Sequence, residues 1–188
     1  MTSAAEAQRA ATALARVSSH QRQRWGRFLL QLLLTLALIL GGGAYLCGRF
    51  RLGIDDQVAR CLPPYRWYLI DTHDRQIAQG DLVAFAAIEA MAPYFRAGQT
   101  VIKRAAGVAG DRITVNDQET RINRAPVENS DPALAKTLGQ PEQTFFRAQS
   151  IVPAGHLWVM GATRDSFDSR YWGMLPLGQV IGRAYALF

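Results

Sequence analysis

The sequence predicts a mainly β protein: an antiparallel β domain preceded by one N-terminal transmembrane helix. Two observations carry this. Residues 28–47 form one uncharged apolar run, and beyond residue 53 the apolar stretches become short and are separated by turn-forming residues. A length of 188 residues leaves room for one compact domain and a small additional element.

Residues 1–27 form a basic tail, with Arg9, Arg16, Arg22, Arg24 and Arg27 against Glu6. The run that follows, FLLQLLLTLALILGGGAYLC, has a single polar interior residue, Gln31, and matches the hydrocarbon thickness of a bilayer at helical rise. Trp25 stands where an interfacial aromatic is expected. A cleaved signal peptide is the alternative, but the tail is long for one and no clean small-x-small cut site follows. Ala44-Tyr45-Leu46-Cys47 also places a bulky Leu before the cysteine, against a lipoprotein signal. The arginines before the run outweigh Arg49 and Arg51 after it, so the positive-inside rule predicts a cytoplasmic tail. Residues 48–188 then form the external, periplasmic domain.

Within that domain the expected strands are Trp67–Ile70, Leu82–Ala87, Thr100–Ile102, Ile113–Val115, Leu157–Met160 and Val180–Leu187. Gln79-Gly80-Asp81, Gly107, Gly110-Asp111, Asn116-Asp117 and Pro153-Ala154-Gly155 supply the turns. Residues 124–143 read as a loop or insertion, with one helical turn at Pro132–Leu138.

Composition excludes several classes. At 49% hydrophobic residues the chain has ample material for a core, which excludes disorder, and two cysteines exclude a disulfide scaffold. The net charge of +6 is concentrated in the tail, so a nucleic-acid partner is not expected. His20, His73 and His156 lack metal-ligand spacing, and no dinucleotide or phosphate loop occurs, so neither a metal nor a cofactor is expected.

Candidate chemistry rests on three stretches. Of 21 basic residues only Lys103 and Lys136 are lysines. Arg cannot give up its proton, whereas a desolvated Lys can serve as general base to a hydroxyl or thiol. Lys103 ends an apolar strand, and an exposed strand-end residue is the plainer reading. Cys61, in Arg60-Cys61-Leu62-Pro63-Pro64-Tyr65, is the only thiol of the external domain; a small buried hydrophobe or a disulfide with Cys47 are its alternatives. Asp168 and Arg170 suit an ion pair that fixes a loop.

In this order the stretches resemble the type I signal peptidase family of membrane-anchored Ser/Lys peptidases. Gly80-Asp81-Leu82-Val83-Ala84-Phe85 is similar to its Gly-Asp-hydrophobic strand. Lys103-Arg104 with Gly107, Gly110 and Asp111 resembles its lysine box. Val152–Gly161 leads into Ser166 and Asp168-Ser169-Arg170-Tyr171-Trp172-Gly173, which resembles its last box. The likeness spans roughly residues 58–186. The small size and the compact Cys-Leu-Pro form resemble the conjugative-transfer TraF-type branch.

The resemblance implies a signal-peptidase-like β domain and a role for each residue. Lys103 is the general base, Ser166 orients its amine, and Asp168, Ser169 and Arg170 support the site. Cys61 stands where the family has its nucleophilic Ser. Ala59 stands where some members place an oxyanion-hole hydroxyl, and Gly161-Ala162-Thr163 replaces the usual Gly-Asp-Asn. The implied function is processing of a pilin or other secreted precursor at the bacterial inner membrane by a single-pass enzyme, by hydrolysis or by transfer to an amine, including cyclisation. Membrane lipid and conjugative pilus assembly proteins are the further partners implied. The departures leave two alternatives: an impaired homologue acting as a pilus-assembly binding or scaffold protein, and a general signal peptidase I.

Overall fold

The computed structural model describes residues 3–55 and 60–188; in the first helix, side chains are described for Gln8, Arg9 and from Trp25 onward. The chain divides into two compact units, Met1–Gly48 and Arg49–Phe188. The first is one helix, α1 (Ser3–Arg49), so the backbone of the basic tail is helical together with the apolar run. Trp25–Arg49 is long and apolar enough to cross a bilayer, with a mean hydropathy of 2.0.

The second unit is built from antiparallel strands. β1 (Phe50–Ile54), β2 (Trp67–Asp71), β3 (Leu82–Ala86), β4 (Thr100–Gly107), β9 (His156–Met160), β10 (Leu175–Pro176) and β11 (Val180–Ala186) form one sheet in the order β1-β2-β11-β3-β4-β9-β10. β5 (Arg112–Val115), β6 (Thr120–Ile122), β7 (Ala125–Val127) and β8 (Arg147–Ile151) form a second, ordered β7-β6-β5-β8. This is the mainly β architecture the turn spacing predicted. α2 (Ser169–Trp172) is a single turn capped by the Asp168 carboxylate, which accepts from the Arg170 amide.

Side-chain alternation on β9 explains how the sheets share a core. Leu157 and Val159 pack with Val83, Phe85, Val101 and Phe167, while Trp158 and Met160 pack with Ile113, Val115 and Ile122. Successive side chains of a strand point to opposite faces, so a strand covered on both sides reads as an unbroken apolar run. At Gly182 a Cβ would overlap the backbone carbonyl of Asp71, so only glycine permits this approach of β11 to β2. At the start of the domain Arg49 holds the Asp71 carboxylate with two nitrogens, at 3.0 and 2.6 Å.

One local expectation needs correction. Lys103 does not end a strand: β4 runs on to Gly107, and its alternation places Val101, Lys103, Ala105 and Gly107 on the buried row. Ala105 and Gly107 are small enough to face the core, and they extend the row past the apolar run. Pro132–Leu138 forms hydrogen-bonded turns, among them the single helical turn expected there, closed by the Leu138 N–H donating to the Leu134 carbonyl at 2.9 Å.

Candidate active site

Lys103 sits at the centre of the site. It pairs with Val83 across β3 and is 1% exposed, so its amine cannot be solvated by bulk water. Nζ donates to Ser166 Oγ at 2.8 Å, and Ser166 is fully buried. The reading of Lys103 as an exposed strand-end residue is therefore excluded. A buried amine with one neutral hydroxyl partner is the setting in which a lysine exchanges a proton with a nucleophile.

Cys61 reaches the same place from the loop between β1 and β2. It is half-buried, and its carbonyl accepts from the Ala162 amide at 2.7 Å, which docks this loop on the segment that carries Ser166. Cys61 and Lys103 line one cavity of about 270 Å³ together with Ile54, Tyr68, Gln99 and Ile102. Cys47 and Cys61 are each present as a thiol. Ala59, the position read as lacking an oxyanion-hole hydroxyl, lies outside the described residues.

Tyr68, which sequence reasoning placed only in a strand, organises the Cys61 loop. It is 1% exposed, and its hydroxyl lies 3.4 Å from the Leu62 carbonyl and 3.3 Å from that of Tyr65. Burial, followed by the nearby Asp55 carboxylate, pushes this hydroxyl from 10 up to about 12.

The last box supports the site from behind. Arg170 Nε and Nη2 each donate to the Asp168 carboxylate at 2.8 Å, with both side chains fully buried. Nη2 also donates to the Ser166 carbonyl at 3.0 Å, and Nη1 to the Asp131 carbonyl at 2.6 Å. Burial works against the Arg170 charge, but its bonds to Asp168 outweigh that and hold the guanidinium above its usual range. Ser169 Oγ accepts from the Val159 amide at 2.9 Å and ties α2 to β9. Ser166 thus meets the lysine directly, while Asp168, Ser169 and Arg170 stand one layer further back.

Asp131 and Asn129 also join this layer. They come from the segment read as an insertion, where no periodicity or family motif drew attention to them. Asp131 receives Arg164 at 2.7 and 2.5 Å, and the Arg164 hydrogen bond holds its carboxyl below the usual range. Among the described residues no three His, Cys, Asp or Glu side chains are grouped as a metal site requires.

The family model described as signal peptidase, peptidase S26, matches residues 25–188. The chain belongs to this family. Among its relatives, a probable conjugal transfer protein TraF from Sinorhizobium fredii is 31% identical over 87% of this chain and 90% of its own length. A conjugal transfer protein TraF from Agrobacterium fabrum is 25% identical, covering 86% and 96% respectively. A signal peptidase I from Leptolyngbya laminosa is 29% identical over 63% of this chain and 56% of its own length. The family's chemistry is peptidase cleavage of precursor proteins, and the N-terminal apolar helix fits a membrane-anchored member.

Proposed function

We propose that the chain is a membrane-bound endopeptidase of conjugative transfer that matures a pilin precursor with a Cys61/Lys103 pair. The observation that carries this reading is the buried Lys103–Ser166 hydrogen bond, made by a lysine that lines the same cavity as Cys61. The TraF relatives, which this chain matches over most of both lengths, support the conjugative setting.

In the proposed reaction the Cys61 thiol attacks the scissile carbonyl carbon while Lys103 Nζ takes its proton. A C–S bond forms, and collapse of the adduct breaks the C–N bond, with the lysine returning the proton to the departing amine. Ser166 Oγ fixes the amine, and the Cys61 amide contributes to the oxyanion hole. Water then cleaves the thioester and leaves a carboxylate. Alternatively an amine displaces the thiol and forms a new amide, which joins or cyclises the product. Thioesters react with amines, relative to water, more readily than oxygen esters do, so the cysteine favours the second outcome.

Residues 1–27 are assigned to the cytoplasm, 28–47 to the inner membrane and 48–188 to the periplasm, the orientation that the charge bias supports. The test is incubation of the membrane-embedded protein with a pilin precursor and mass mapping of both product termini. A cut after small-x-small, lost in Cys61→Ala and Lys103→Ala, is the expected result. Unchanged processing by Cys61→Ala would refute the nucleophile, and processing of general secreted precursors with no pilin preference would favour a general signal peptidase.

A further inference from the structure

We infer that the turn Asn129–Asp131 is a positioning strap that sets both halves of the reacting pair. The inference rests on the reading of Cys61 and Lys103 as that pair. The strap is anchored at its rear by Ser130. This buried residue accepts the Thr120 amide at 2.7 Å through its hydroxyl and the Thr120 hydroxyl at 2.9 Å through its carbonyl, which pins the turn to β6. From that anchor it reaches forward along two lines.

The first line ends at Cys61. Asn129 adopts φ of 52°, a conformation asparagine tolerates better than most residues, and its Nδ2 donates to the Ala162 carbonyl at 3.3 Å. Ala162 donates its own amide to the Cys61 carbonyl at 2.7 Å. One residue of the last box is therefore held from outside by the strap while it holds the nucleophile's backbone.

The second line ends at Lys103. The Asp131 carbonyl accepts Arg170 Nη1, and Arg170 in turn donates to the Ser166 carbonyl, whose side chain meets Lys103 Nζ. The Asp131 carboxylate adds a two-bond grip on Arg164, inside the same box. Where the family usually has an acidic residue after the box glycine, this chain has Ala162. Asp168 supplies one carboxylate to the box from within, and the strap supplies a second from outside it. Asn129 and Asp131 touch no reacting atom, so both are positioning residues.

The test uses the full-length chain in lipid with Cys47→Ser as background, so that only Cys61 reacts with iodoacetamide. Asn129→Ala, Asp131→Ala and the charge swap Asp131→Arg with Arg164→Asp are compared for kcat, KM, Tm and the pH profile of Cys61 alkylation. The single variants are expected to lose roughly ten- to a hundredfold in kcat, as small displacements of reacting groups do, with KM within about twofold. Their Tm should stay within about 2 °C. Cys61 alkylation should slow or shift along the pH axis, and the swap should recover at least part of kcat. Unchanged kcat and alkylation would overturn the inference, as would a kcat loss that follows a fall in Tm while alkylation of the folded protein stays the same. Cys61→Ala runs alongside. Should it still turn over, the nucleophile assignment fails, and alkylation of Cys61 alone then decides for or against the strap.

Discussion

Gly161 and Ser166 approach so closely that a Cβ on residue 161 would overlap the Ser166 hydroxyl and lie 2.6 Å from its Cβ. The same Cβ would come within 3.0 Å of the Cys61 carbonyl. Gly161 is therefore the gap through which the last box presents Ser166 to the lysine.

Gly161→Ala forces Ser166, Cys61 or both to move. Overpacking of this kind costs about 1–3 kcal/mol of stability. The larger consequence is expected in turnover, because the displaced atom is the lysine's partner. Urea unfolding and a precursor cleavage assay on one preparation check both, with activity falling further than the folded fraction.

Lys103 is expected to be irreplaceable by arginine. A positioned general base contributes about 10²–10⁴-fold, so Lys103→Ala should lose activity on that scale. Lys103→Arg should not restore it, since a guanidinium keeps its proton. Ser166→Ala should retain measurable turnover, because it removes the group that orients the amine and leaves the amine itself. Cleavage rates for the three variants, normalised to folded protein, give the comparison.

Asp168 and Arg170 form a fully buried, two-bond ion pair. Removing one partner leaves the other charged and unsolvated, at a cost of about 3–5 kcal/mol, so Arg170→Met should be strongly destabilised. Adding Asp168→Asn should return part of that loss. Denaturant curves for both singles and the double give the coupling energy.

The hydroxyl of Tyr68 gives a pH signature. Its folded value is raised from 10 to about 12, so the folded protein keeps the proton at a pH where the unfolded chain has lost it. The unfolded state then binds fewer protons, and stability falls as pH rises from 10 to about 12. Below 10 this residue contributes no slope. Tyr68→Phe should flatten that alkaline decline in a series of thermal melts, even if it lowers the plateau by loosening the Cys61 loop.

Much of this frame was legible in the sequence where one residue type implied one physical outcome. Short apolar runs between turn residues located β2, β3, β5, β9 and β11, since their inward faces are apolar and contiguous. β1 went unseen because Arg51 and Gly53 interrupt its pattern, β6 because Thr120 and Arg121 leave it a single apolar residue, β7 because Pro126 sits at its centre, and β8 because Arg147, Gln149 and Ser150 break any apolar row. Lys103 stood out through the scarcity of lysine. That it lies mid-strand was hidden by the small residues Ala105 and Gly107, which carry the buried row without an apolar signal. Asn129 and Asp131 gave no sign at all: their roles arise from contacts 33 residues away along the chain, which no local pattern encodes.

In the proposed reaction Cys61 carries the acyl group. Acid-quenched mixtures of the membrane-embedded protein and precursor, digested and mapped by mass, address it directly. A hydroxylamine-labile adduct of the precursor's N-terminal fragment on Cys61, absent from Cys61→Ala and diminished in Lys103→Ala, is the expected result. An adduct on Ser166 or another residue, or full turnover by Cys61→Ala, would contradict the account.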